Sequence, residues 1–150
     1  MPKPAPKRAA ATEGFGYVLD EQAGFILRQV HQRHALIFAN HIGQDITPTQ
    51  WAAMAKLAEA GPCSQNLLGR LTAMDAATIK GVVDRLVRRG LASTNPDPSN
   101  RRRVLVELTL AGRELAQELA PLAMKITEET LAPLSGQERE TLLRLLKRMR

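Results

Sequence analysis

Residues 64–109 read SQNLLGRLTAMDAATIKGVVDRLVRRGLASTNPDPSNRRRVLVELT. Two helices are predicted to begin in this stretch, one after Ser64 and one after Asp75, because serine and aspartate are preferred N-cap residues. Gly90 is placed to end the second helix. The alternating apolar residues of 104–108 then predict a strand that returns a short hairpin. The stretch therefore predicts a helix, a turn, a second helix, a strand, a loop and a strand.

The second helix, predicted over residues 75–89, has two different sides. Its apolar residues gather on one side of a helical wheel, which predicts that this side is buried; they are Ile79, Val82, Val83 and Leu86. The opposite side combines small residues with hydrogen-bond donors, namely Ala77, Thr78, Gly81, Arg85 and Arg88, with Lys80 on the flank. Small residues allow close approach, so we predict that this side enters a DNA major groove. The alternative is an ordinary amphipathic surface helix, which is a common arrangement.

Positive charge is concentrated in the same part of the chain. The formal net charge is +6, and residues 70–103 hold eight Lys or Arg against three Asp, an excess of five. DNA is densely negative and releases counterions when its phosphates are neutralised, so a local basic cluster favours DNA binding. Evenly spaced charges would instead have favoured a solvated polar surface.

The loop of the hairpin is predicted over residues 95–103, which read NPDPSNRRR. Its two prolines and the Ser-Asn pair favour a turn. Arg101, Arg102 and Arg103 then project from the hairpin, where an arginine can enter a narrow minor groove. Ahead of the second helix, three residues are expected to contact backbone phosphates, which position a protein without specifying sequence; they are Ser64, Gln65 and Arg70. Residues 45–109 are therefore predicted to form a winged helix-turn-helix that binds double-stranded DNA.

The flanking segments predict further helices, so the fold class is mainly α with a small β-hairpin wing. Residues 20–42 place apolar side chains on one side of a helix, and Thr47, Pro48 and Gln50 predict a capped helix start. Residues 110–131 carry Leu115, Leu119, Leu122 and Ile126 at the spacing of a seam for a partner helix. We expect residues 17–44 and 110–150 to form the dimerisation helices of a homodimer. Such a dimer would present two reading helices to a pseudo-palindromic operator.

Length and composition limit the other classes of protein. The chain of 150 residues is about one domain long. Residues 1–16 are predicted to be a disordered basic arm, which lacks the apolar segment of a signal peptide. A single cysteine, Cys63, rules out an internal disulfide and fits a reducing cytoplasm, and we expect no membrane span. No Gly-rich phosphate loop, nucleophile elbow or acid pair is found, so an enzyme is the less favoured alternative and no cofactor is expected.

The chain resembles the MarR family of bacterial transcription regulators over residues 17–149. The resemblance rests on the helix entry ITPTQW at 46–51, the motif DRLV at 84–87, and the wing from Pro96 through Arg102, closed by Leu108, Thr109 and Gly112. It implies a dimeric repressor that leaves its operator when a small molecule binds, often an aromatic acid. By match to the family pattern, Thr78, Lys80 and Gly81 lie at the bases and Arg102 is the wing arginine.

Two details refine the resemblance. The family usually has an acid where this chain has Asn100, so the wing arginine is expected to lack an ion pair here. Residues 19–22, 63–70 and 74–81 resemble a subgroup that controls aromatic-compound catabolism. In that subgroup the inducer is an aromatic acid or its coenzyme A thioester.

The first long helix places polar residues within or beside its apolar stripe, and such groups need partners. One interpretation is an effector pocket in which Arg33, His34 or His41 pairs with a carboxylate and Trp51 faces an aromatic ring. The alternative is a subunit contact, with Arg33 paired across the dimer and His41 near a helix C-terminus.

The sequence contains two further candidate sites, a pair of histidines and a lone cysteine. His31 and His34 are three residues apart, but no further ligands follow with zinc-like spacing, so no metal site is predicted. Cys63 precedes a helix start, where a thiolate is favoured, which leaves a redox-sensing regulator as an alternative. A packed loop residue is the favoured interpretation of Cys63.

Overall fold

The computed structural model describes residues 14–150, which form six α-helices, one short 3-10 helix and a three-stranded sheet. The α-helices are α1 (Ala23–Ile42), α2 (Pro48–Ala60), α3 (Gln65–Leu71), α4 (Ala76–Arg88), α5 (Leu110–Thr130) and α6 (Gly136–Arg148). The antiparallel sheet has the order β1, β3, β2, with β1 (Cys63–Ser64), β2 (Ala92–Asp97) and β3 (Asn100–Leu108). The predicted fold class, mainly helical with a hairpin wing, is confirmed.

The helix starts follow the capping residues in the sequence. The Thr47 hydroxyl accepts from the backbone N–H of Gln50 at 3.2 Å, and the Gln50 side chain accepts from the N–H of Thr47 at 3.3 Å. Ser64 and Asp75 accept from the N–H groups of Leu67 and Thr78. These bonds satisfy N–H groups that a helix leaves without an internal partner. The predicted starts of α2, α3 and α4 are therefore confirmed.

The first long helix begins later than predicted. Residues Leu19–Glu21 form the 3-10 helix, and Gln22 is extended with φ −88° and ψ 132°. The side chain of Gln22 donates to the carbonyl oxygen of Val18, which holds this bend. The helix α1 therefore starts at Ala23, and the prediction of a start at Asp20 is wrong.

The wing has a shorter loop than predicted, because only Pro98 and Ser99 lie between β2 and β3. The Asp97 carboxylate accepts from the N–H and the hydroxyl of Ser99, and these two bonds close the turn. Pro96, which has no N–H, is tolerated because β2 is an edge strand. The predicted loop over residues 95–103 is wrong, and the wing is a longer two-stranded arm.

Two apolar clusters hold the described residues together. The larger one joins α2, α3, α4 and the sheet with the first half of α5. The smaller one consists of Ile37, Phe38 and Ile126, and therefore joins α1 to the second half of α5. Helix α5 lies outside residues 45–109 but contributes to both clusters, so it packs the predicted DNA-binding domain and the flanking helix α1 together.

The leucine seam predicted for a partner helix is wrong, because it packs within its own chain. Leu119 and Ile126 are buried, while Leu115 and Leu122 are half-buried against the larger cluster. Helix α6 has no buried residue. Its exposed apolar side chains include Leu143, Leu145 and Leu146, with Met149 just beyond its end, and Ile26 and Val30 of α1 are exposed as well. Apolar surface available to a partner therefore lies on α6 and α1. Of the predicted arm, residues 1–13 lie outside the described residues.

Candidate nucleic-acid interface

Helix α4 has the two sides that the sequence predicted. Four of its apolar residues are each at most 1% exposed and anchor the helix in the larger cluster; they are Ile79, Val82, Val83 and Leu86. The residues predicted to contact DNA face outward: Ala77, Thr78, Lys80 and Arg85 are exposed. Gly81 is half-buried, because the Arg85 guanidinium lies over it, 3.3 Å from where a β-carbon would stand. The helix is therefore firmly held on one side and accessible on the other.

The start of α4 is fixed by Asp75. The Asp75 carboxylate accepts from the N–H of Thr78 at 2.7 Å, and this bond lowers the pKa of the Asp75 side chain from its ordinary value. The carboxylate stays ionised at neutral pH, where it complements the positive end of the helix dipole. Thr78, a predicted base contact, therefore sits in a backbone turn that Asp75 holds in place.

The start of α3 and the wing meet in a basic depression. Its volume is about 440 Å³, and its lining residues are Ser64, Gln65, Asn66, Arg70, Arg103 and Val104. The structure thus brings the three predicted phosphate contacts, which lie in α3 and at its N-cap, next to one of the wing arginines. The Ser64 hydroxyl already accepts from Leu67 N–H, and its own proton is free to be donated. This arrangement is suited to binding a backbone phosphate.

The wing arginines sit in an irregular part of β3. Pro96 lies opposite Val104 and Asp97 lies opposite Asn100, so Arg101, Arg102 and Arg103 have no opposite residues on β2. All three are exposed. Within residues 14–150, none of their guanidinium groups forms a salt bridge. The wing thus presents a run of three accessible positive charges.

Two polar residues support the wing. Hydrogen bonds from Ser99, and then the charge of Arg103, lower the pKa of the Asp97 carboxyl. The Asn100 side chain accepts from the backbone N–H of Arg102 at 3.2 Å. Asn100 therefore shapes the backbone of the wing, and its side-chain bond leaves the Arg102 guanidinium free to reach a ligand.

The sequence did not lead us to predict the ion pair between Lys80 and Asp84 on α4. The ammonium of Lys80 lies 2.8 Å from a carboxylate oxygen of Asp84, one helical turn away. The signal was present, since oppositely charged residues four apart in a helix are neighbours. The predicted base contact Lys80 therefore already has an acidic partner in the free protein.

The polar residues of α1 converge on the last turn of α5. The Arg33 guanidinium donates to the carbonyl oxygens of Thr130 at 2.7 Å and Glu129 at 2.9 Å. The His34 ring shares a hydrogen bond with the Thr130 hydroxyl, and His41 lies 2.6 Å from a Glu129 carboxylate oxygen. The partners that these groups need thus come from the same chain.

Trp51 and His34 complete this region. Trp51 is half-buried and packs against both apolar clusters. Burial, followed by the nearby His31, lowers the pKa of His34, so this imidazole is held in its neutral form. The effector pocket predicted for Arg33, His34, His41 and Trp51 stays a prediction.

The alternative sites gain no support from the described residues. Cys63 is buried, and burial raises the pKa of its thiol, whereas a redox switch needs an accessible thiol with a lowered pKa. Over residues 14–150, no three His, Cys, Asp or Glu side chains gather as metal ligands. None of the helices in this range has the length and apolarity needed to cross a membrane.

Comparisons with known proteins agree with this geometry. A family model described as MarR family matches residues 46–104. The HTH-type transcriptional repressor NicR of Pseudomonas putida is 38% identical over 150 residues, which are 99% of this chain and 95% of NicR. A solved structure of a probable transcriptional regulator from Pseudomonas aeruginosa is 58% identical with a TM-score of 0.85, covering 89% of this chain and 100% of that one. The structure of BpsR from Bordetella bronchiseptica, whose DNA binding is regulated by 6-hydroxynicotinic acid, is 40% identical with a TM-score of 0.85, covering 89% and 96%.

Proposed function

The chain belongs to the MarR family of transcription regulators and is not an enzyme, and we propose that it is a homodimeric repressor released from its operator by an aromatic acid. The observation that carries the proposal is helix α4. One side of α4 is fully buried, and the other presents small residues and donors next to a wing with three exposed arginines. An element that is rigidly held and accessible on its polar side is what reading a major groove requires.

The DNA contacts divide by chemistry. Ala77, Thr78, Lys80 and Gly81, near the start of α4, reach base edges, and Arg85 supports them from the next turn. Ser64, Gln65 and Arg70 bind phosphates and set the register. Arg102, helped by Arg101 and Arg103, enters the minor groove or binds its phosphates. This division predicts that base contacts govern specificity, whereas the α3 and wing contacts govern affinity and its salt dependence.

The dimer is proposed to form through α6 and α1. Helix α6 leaves its apolar side chains exposed, and Phe15, Tyr17 and Leu19 are more than half exposed near the other end of the described chain. Apolar surface of this extent on a small protein is typical of an interaction site. A two-fold pairing of these helices would set two α4 helices against successive major grooves of a pseudo-palindromic operator.

The effector is proposed to be a hydroxylated aromatic acid. The support is chemical and comparative: Arg33 is a bidentate donor, Trp51 is an aromatic side chain packed against the apolar cluster of α1 and α5, and DNA binding by the relative BpsR is regulated by 6-hydroxynicotinic acid. A carboxylate would compete with the α5 carbonyl oxygens for Arg33, because a charge-assisted pair is stronger than a bond to a neutral carbonyl. Loss of the Arg33 bonds would loosen α5 from α1 and change the spacing of the two reading helices. A coenzyme A thioester lacks this carboxylate and is the competing ligand class.

The test is DNA binding by fluorescence anisotropy with a duplex enriched from a random pool by the wild-type protein. We expect affinity to fall steeply with salt, and to fall again when 6-hydroxynicotinic acid or benzoic acids are added. No binding at low salt would overturn the proposal. Release by thioesters alone would reassign the effector class. Size-exclusion chromatography with light scattering should give the mass of a dimer.

The effector site has its own variants. Arg33→Ala and His34→Ala should raise the acid concentration needed for release, whereas Lys56→Ala should not. Lys56 is the matched control, since it loses one positive charge whose partner is Glu59 on its own helix. If both variants release DNA at the wild-type acid concentration, the effector binds elsewhere.

A further inference from the structure

The outward side of α4 carries one acid among its basic and small residues. Asp84 is the only acidic residue within α4. On a helical wheel it falls between Lys80 and Gly81, on the side that faces away from the apolar cluster. Its carboxylate and the Lys80 ammonium are 2.8 Å apart, and their side chains are 48% and 65% exposed. An acid therefore lies within the surface that is proposed to meet DNA.

Helix stability does not account for this acid. An exposed ion pair four residues apart adds little to helix stability, and the order with the base first is the weaker one. A negative charge facing DNA also weakens binding to a duplex of any sequence, since it opposes the neutralisation of phosphates. Asp84 thus costs affinity and adds little to folding.

The other two acids of residues 70–103 accept hydrogen bonds that stabilise local backbone conformation. Asp75 caps α4 through the N–H of Thr78, and Asp97 closes the wing turn through Ser99. Asp84 differs because its partner is a side-chain cation that is itself a predicted base contact. Asp84 also lines a shallow depression of about 430 Å³ together with Gln65 and Thr94, so the surface beside its carboxylate is accessible.

We propose that Asp84 is a specificity-determining residue that acts by holding Lys80 away from phosphates. An unpaired lysine on a flexible chain binds any phosphate within reach and carries no sequence information. Paired with Asp84, the ammonium is partly neutralised and held above the groove. It gains most at a guanine, whose N7 and O6 accept from Lys80. This inference rests on the proposed DNA-binding function.

The experiment compares the duplex enriched by the wild-type protein with a shuffled duplex of the same composition. Asp84→Asn keeps the size of the side chain and removes its charge. We expect affinity for the shuffled duplex to rise about three- to tenfold and affinity for the enriched duplex to rise about twofold or less. The salt slope on the shuffled duplex should steepen by about 0.9, the effect of one more neutralised phosphate. The ratio of the two affinities therefore falls.

Two controls separate the mechanism from a general charge effect. Glu114→Gln removes one negative charge from an exposed position of α5, outside the proposed DNA surface, and should change both affinities alike. In the Lys80→Ala background, Asp84→Asn should leave the affinity ratio unchanged. Thermal melting monitored by circular dichroism checks that each variant is folded, and Asp84→Ser provides a second uncharged side chain.

The outcomes are distinct. An unchanged affinity ratio in Asp84→Asn, or the same fall in the ratio with and without Lys80, overturns the inference while DNA binding stands. A wild-type protein that binds neither duplex overturns the proposed function and this inference with it. A fall in the ratio that disappears in the Lys80→Ala background supports the inference.

Discussion

Gly112 is predicted to be the glycine that this fold tolerates least as alanine. It lies in the first turn of α5, where its N–H donates to the Thr109 hydroxyl at 3.1 Å. A β-carbon at this position would stand 1.9 Å from the carbonyl oxygen of Leu91 and 2.9 Å from its carbonyl carbon. The neighbour is backbone, so no rotation of a side chain can relieve the overlap. Gly112→Ala must therefore move α5 away from the segment that joins α4 to β2.

The magnitude follows from the bonds at this junction. The Leu91 carbonyl oxygen has to move about 1 Å away from the added β-carbon before the steric overlap is relieved. The same oxygen accepts from the N–H of Thr109 at 3.1 Å, so this shift breaks a bond between buried groups. A lost bond of this kind costs about 1–3 kcal/mol and overpacking costs about 1–3 kcal/mol, while the helix propensity of alanine returns up to about 1 kcal/mol. We expect a net destabilisation of about 3 kcal/mol.

Urea unfolding followed by circular dichroism at one protein concentration measures this change, because assembly also affects stability. The matched control is Gly136→Ala in the first turn of α6, where a β-carbon has no neighbour within 4 Å. Gly136→Ala should be neutral or slightly stabilising, whereas Gly112→Ala should lower the melting temperature by roughly 10 °C. If the two variants unfold within about 0.5 kcal/mol of each other, the reasoning from backbone overlap is refuted.

Four further predictions follow from the site. Lys80→Ala should lower discrimination between operator and random duplexes by about 1–3 kcal/mol, and equal losses on both duplexes would show a phosphate contact only. Arg102→Ala should weaken binding to all duplexes alike and flatten the salt slope by about 1, as binding curves at several salt concentrations would show. Because the folded state lowers the pKa of His34 below 6.5, its contribution to stability is full above pH 6.5 and is lost as the pH falls through the lowered pKa; the free energy of unfolding should decline less in His34→Gln over this range. Cys63→Ser should leave the response of DNA binding to peroxide unchanged, and a lost response would establish a redox switch.

The sequence predicted the local features well, because short-range chemistry determines them. The caps at Thr47, Ser64 and Asp75 lie within three residues of the N–H groups that they bind. The buried side of α4 follows from the 3.6-residue period alone. The prediction failed where local preferences compete. At the wing, two prolines favoured a long loop, but the Asp97 bonds to Ser99 close a tight turn and extend both strands.

The candidate site could be predicted only in part. The contact residues predicted on α4 come from one helix, and the pattern of that helix shows that they face outward. The pairing of Arg33, His34 and His41 with α5 joins residues about ninety positions apart in the chain. Nothing in the sequence around α1 indicates that these partners are carbonyl and side-chain groups of residues 129–130.

By itself the sequence determined the capped starts of α2, α3 and α4, the buried and outward sides of α4 and the basic charge of the wing. Each of these follows from neighbouring residues, whose spacing decides which side chains share a surface. Only the tertiary structure decided what the leucine side of α5 packs against. The leucine spacing fits a helix of a second subunit and the apolar core of the same chain equally well. Packing against α1 and α2 buries Leu119 and Ile126 and leaves α6 as the exposed apolar helix. Apolar burial has no direction of its own, so the choice between two partners depends on which surface the rest of the fold brings into contact.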